Sequence, residues 1–70
     1  MENIKAAAKI VEKENSEFGY VAGKIEVAND VWMNHMTPSE RYEVMQSIDL
    51  DGLKPLEALR KCVKSISEMI

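Results

Sequence analysis

From Ile4 to Met36 the chain carries no proline, and a series of positions recurs at alternating steps of four and three residues. The series is Ile4, Ala8, Val11, Asn15, Phe18, Ala22, Ile25, Asn29, Trp32 and Met36. Eight of these ten are apolar and two are asparagine, which makes a heptad seam with Asn15 and Asn29 both at a positions. Such spacing predicts α-helix, because a strand buries alternate residues instead. The first expectation is one long N-terminal helix over about residues 3–35, ~50 Å in length. Asn15-Ser16 supplies an alternative, a break near 15–16 that ends one helix and caps the next, with Glu17 favourable in the new first turn. Gly19 and Gly23 each weaken a continuous helix by ~1 kcal/mol relative to alanine.

The clearest local signal lies further on, at Thr37-Pro38-Ser39-Glu40. A threonine cap, a proline where no N–H is needed and an acid three residues after the cap agree on a helix start. That helix is expected over about 38–48, with Val44, Met45 and Ile48 on one face and Gly52 supplying a left-handed turn after it. A last helix is expected over about 54–69, opened by Pro55 and carrying a stripe of Leu56, Leu59, Val63, Ile66 and Ile70. No linker, low-complexity tract or repeat divides the chain, so residues 1–70 are read as a single helical domain.

Composition narrows the function. Nine Lys and Arg against twelve Asp and Glu give a net charge of -3, and the single Cys excludes an internal disulfide. One Cys with one His cannot make a structural zinc site. No apolar run approaches the roughly 20 residues of a bilayer span, and Met1-Glu2-Asn3-Ile4-Lys5 lacks the start of a signal peptide. The expected compartment is the cytoplasm.

Chemistry is poorly supported by the residues. His35 stands beside a predicted helix end, where its interaction with the helix C-terminus accounts for it. Cys62 reads as a small buried hydrophobe, because no neighbour would lower its pKa. The Met33-His35-Met36 group holds soft ligands, but a packing corner is the plainer account. Asp49-Leu50-Asp51-Gly52 lacks the later oxygen ligands of a calcium loop. The chain is therefore expected to be no enzyme and to use no metal or cofactor.

Interaction with other proteins is the remaining expectation. The predicted long helix is apolar around too much of its girth for an isolated two-stranded coil, with Ile10 and Val31 on one flank of the seam and Ala7, Val21 and Ala28 on the other. A small core without staples is commonly completed by association. The whole is thus expected to be an all-α homodimeric bundle with Ile4, Ala8, Val11, Asn15, Phe18, Ala22, Ile25 and Asn29 at the dimer interface. In that setting Asn15 and Asn29 would pair and set register; the plainer account is solvent-facing or helix-ending asparagine. Trp32, Met33, Met36 and Tyr42 gather at a corner that could anchor an unidentified protein partner, or could simply be core. The function expected is a small inhibitor, antitoxin or adaptor. The alternative is a helix-turn-helix-like DNA-binding regulator using Arg60, Lys61 and Lys64, which face an unfavourable overall charge and lack a base-reading set beside them.

Overall fold

Sixteen residues of helix are as far as the first apolar face runs before the chain turns. The computed structural model describes the backbone of residues 2–70 and the side chains from residue 3, so Met1 of the stretch read against a signal peptide lies outside the described residues. Four helices follow one another: α1 Glu2–Glu17, α2 Lys24–Asn34, α3 Pro38–Gln46 and α4 Pro55–Met69. The expected architecture of one long helix and two short ones is therefore incorrect, and so is a break near 15–16. The N-terminal half is two helices joined by residues 18–23.

Hydrogen bonding at the end of α1 explains the correction. The Tyr20 N–H donates to the Asn15 carbonyl at 2.8 Å and the Gly19 N–H to the Ser16 carbonyl at 2.9 Å. This pair of bonds is a Schellman motif, with Gly19 as the left-handed residue that closes it. Gly19 has φ of 76°, a conformation an L side chain adopts only at a cost. The decisive signal was a C-terminal glycine rather than an N-terminal asparagine. Asn15 and Ser16 stay inside α1 and give their carbonyls to its closure. Gly23 then starts α2 in an extended conformation without a side-chain cap, and its carbonyl accepts from Val27 N–H at 3.0 Å.

The turn lets the second helix choose a new face. In α1, Ile4, Ala7, Ala8 and Val11 are buried, an i, i+3, i+4, i+7 set. In α2 the buried set is Val27, Ala28, Val31 and Trp32, which leaves Ile25 and Asn29 of the heptad seam exposed. Helix α2 is central, packing against α4 most extensively and also against α1. Its Ala28, with Ala7 and Ala8 of α1, allows close approach of the two helices. Cys62, Val63 and Ile66 of α4 and Val44 of α3 complete the core.

Helix α3 begins as its sequence predicts. Glu40 N–H donates to Thr37 Oγ1 at 3.2 Å, and Thr37 N–H donates back to Glu40 Oε1 at 2.9 Å. It ends two residues before the expected boundary at Ile48. Ser47 is the reason, since its hydroxyl donates to the Val44 carbonyl at 2.7 Å and its N–H to the same oxygen at 3.1 Å, tightening the last turn. Gly52 does adopt a left-handed φ of 74°, but in the connection to α4 rather than at the end of α3. Among the described residues no buried side-chain nitrogen or oxygen lacks a partner. Ser67, buried on α4, satisfies its hydroxyl on the Lys64 carbonyl at 2.6 Å.

Two outcomes follow from these caps. Replacing Gly19 by alanine meets no atom within 4 Å, so the cost is conformational and should be about 1–2 kcal/mol in chemical denaturation. Gly19→Asn should recover much of it, since asparagine tolerates the left-handed region. The Thr37 backbone N–H, then its hydroxyl, hold the Glu40 carboxyl below the ordinary glutamate range. A depressed carboxylate pKa adds stability that is present at neutral pH and lost as pH falls through the folded-state value. The stability difference between the wild type and Glu40→Gln should therefore shrink as unfolding is measured at successively lower pH below that range.

Candidate functional site

Helix α4 is amphipathic, but its apolar stripe is wider than the core it covers. Val63 and Ile66 are buried, whereas Leu59 is half-buried and Leu56, in the first turn, is exposed. Across from them stands α2, whose turned face presents Ile25 and Asn29. Between the two helices lies an open groove of about 910 Å³ with Ile25, Leu56, Leu59 and Val63 along it. Its charged neighbours are two acids, Glu26 and Glu68, and two bases, Arg60 and Lys64. A concave apolar floor with a few polar groups at its edge is the usual form of a binding surface.

The linker between α1 and α2 adjoins that groove through Ile25 and Glu26. Phe18 is 89% exposed and Val21 92%, the extremes among the large apolar side chains exposed here. The first half of the linker nevertheless carries bonds of its own. Its backbone is closed by the Schellman bonds, and the Tyr20 hydroxyl donates to the Glu26 carboxylate. That bond, ahead of partial desolvation and the nearby negative charge, holds the Tyr20 phenol above its ordinary pKa.

The predicted site residues are distributed rather than gathered. Of the seam, Ile4, Ala8 and Val11 lie in the chain's own core, Asn15 and Ala22 are half-buried, and Phe18, Ile25 and Asn29 are exposed. At the corner, Trp32 and Met36 are buried at 8% exposure each, while Met33 and Tyr42 remain on the surface. Arg41, which the sequence did not single out, organises this corner. Its Nε donates to the Trp32 carbonyl at 2.9 Å and its Nη2 to the Met33 carbonyl at 3.2 Å. These carbonyls belong to the last turn of α2, where no intrahelical donor remains for them. The guanidinium also stands 5.9 Å from the Trp32 ring centre, within cation–π range.

Arg60, Lys61 and Lys64 are all exposed. Arg60 and Lys64 border the groove beside Glu26 and Glu68, and Lys61 Nζ reaches the Asp49 carbonyl at 3.4 Å. The connection from α3 to α4 runs over residues 47–54, longer than the three- or four-residue turn of a helix-turn-helix. His35 Nε2 lies 4.0 Å from Asp30, whose carboxylate also accepts from Asn34 Nδ2 at 2.6 Å. Burial pushes the Cys62 thiol up from its ordinary pKa, so little of it is thiolate at neutral pH. Among the described residues no group of three or more His, Cys, Asp or Glu could hold a metal ion. No helix there is long and apolar enough to cross a membrane.

Comparison with protein-family models, curated proteins and solved structures gives no match to this chain. What the geometry defines by itself is a small all-helical protein with an open apolar groove.

The groove and the exposed linker escaped the sequence reading because both depend on where α2 turns. Gly19 was the available signal. Arg41 had a weaker one, a lone cation three residues after a proline-led helix start. Removing its fork with Arg41→Met should cost about 1.5–3 kcal/mol, the range for hydrogen bonds to charged groups. Arg41→Lys should recover only part of that, because an ammonium cannot serve both carbonyls in one plane; thermal or denaturant unfolding of the three proteins gives the comparison.

Proposed function

We propose that this chain is a non-enzymatic protein–protein interaction module of the inhibitor, antitoxin or adaptor type, working in the cytoplasm as a helical homodimer. The observation that carries the reading is the exposure of Phe18 and Val21 on the linker and of Ile25 and Leu56 at the groove. Side chains of this size rarely stand uncovered together on a small water-facing protein unless something covers them in use.

Surface area supports the same view. The accessible surface is 5056 Å². A typical monomer of 7.9 kDa exposes about 4,400 Å², which leaves an excess of roughly 600 Å². A stable complex removes about 800 Å² from each partner, so the excess is of the right order. The long dimension of 40 Å against 21 and 17 Å accounts for part of it, since an elongated chain leaves more of each helix bare.

Light scattering across micromolar to millimolar protein concentration tests the proposal. The expected result is a mass of twice 7.9 kDa at the upper end, with a melting temperature that rises with concentration. A mass of 7.9 kDa at every concentration, with cooperative and concentration-independent unfolding, would overturn the homodimer.

A further inference from the structure

We infer that the occupant of the α2–α4 groove is the Phe18–Val21 segment of a second copy of this chain, exchanged reciprocally across a two-fold axis. The inference rests on the homodimer proposed above and names the contact that makes it. A two-fold interface requires that a surface and its complement lie side by side on one molecule, so that each subunit gives and receives the same contact. The linker and the groove meet this requirement. Ile25 lines the groove and follows the linker by two residues, and the Tyr20–Glu26 bond ties the linker to the groove's edge.

The chemistry of the two surfaces is complementary. Residues 18–23, Phe18-Gly19-Tyr20-Val21-Ala22-Gly23, contain no charged side chain in a protein that is 30% charged. Entering an apolar groove therefore buries no unpaired charge from the linker. Phe18 and Val21 supply apolar side chains, and Ile25, Leu56 and Leu59 supply the floor that receives them. The groove's two acids and two bases balance, which suits a partner carrying the same four groups. Under two-fold symmetry Arg60 and Lys64 of one subunit can face Glu26 and Glu68 of its mate, whereas a strongly acidic or basic partner would leave one pair of like charges opposed. The linker is also held in shape before association, since its end is closed by the bonds to Asn15 and Ser16. That backbone closure lowers the ordering left to be done on contact.

Two substitutions at separate halves of the contact provide the test. Phe18→Ser removes the inserted aromatic from a side chain 89% exposed in the single chain, so the fold should persist. Leu56→Glu places a charge on the groove floor at the first turn of α4, where an acid favours the helix. Circular dichroism verifies both folds, and Leu56→Ser serves if the glutamate variant loses helicity. With the wild type dimeric by light scattering, each variant alone should show a dimer dissociation constant raised roughly 30-fold or more, as expected for loss of a central anchor. An equimolar mixture should associate more tightly than either variant alone, because the mixed dimer retains one intact linker in one intact groove. A wild-type dimer that Phe18→Ser leaves undiminished, or a mixture no tighter than its components, would overturn the inference while the homodimer stood. A wild type of single-chain mass at millimolar concentration would overturn both, and would leave the groove to a different protein.

Discussion

The left-handed residue at Gly19 closes the first helix, and the positions of the other elements follow from that closure. Without it the apolar face of residues 4–36 would continue along one rod, and the chain would have little to fold back on. With it, α1 ends at Glu17 and α2 sets out in a different direction after six residues of linker. The two bonds that close the turn satisfy the carbonyls of Asn15 and Ser16, groups that any helix end must place somewhere. The turn thus satisfies its own carbonyls and also permits the core.

That core is built from modest side chains. Ile4, Ala7, Ala8 and Val11 of α1 meet Val27, Ala28 and Val31 of α2, and α4 contributes Cys62, Val63 and Ile66. Small residues on facing helices allow close approach of the backbones, and Trp32 at the edge is the one aromatic among the described core residues. The edge itself is polar chemistry. Arg41 supplies donors to the last carbonyls of α2 and so couples α3 to α2 at the corner. The reciprocal cap of Thr37 and Glu40 sets where α3 starts, and Arg41 follows immediately after it.

The same turn creates the candidate interaction surface. Rotating α2 buries Val27, Ala28 and Val31 and leaves Ile25 at the groove with α4, where Leu56 is exposed and Leu59 only half-buried. The linker is the piece of chain required to make the turn; Ala22 packs against the core from it, while Phe18 and Val21 are left exposed. An apolar groove and an apolar linker are thus two products of one conformational event. The two are joined through Ile25, which follows the linker by two residues and lines the groove, and through the Tyr20–Glu26 bond.

Local patterns in the sequence determined the helical class, the capped start at Thr37, the proline-led start of α4 and the burial of Cys62. Each of these depends on residues within a turn or two of one another, and a single chain carries that information in full. The heptad seam misled for the opposite reason. It runs unbroken from Ile4 to Met36 although the chain turns between Glu17 and Lys24, because periodicity records what each helix can bury and not whether two helices are one. Gly19 was in plain view, but a glycine inside a periodic stretch is compatible with both a tolerated helix interior and a helix end. Only the tertiary structure decided between them, since the burial gained by packing α1 against α2 and α4 outweighs the hydrogen bonds a continuous helix would have added through residues 18–23.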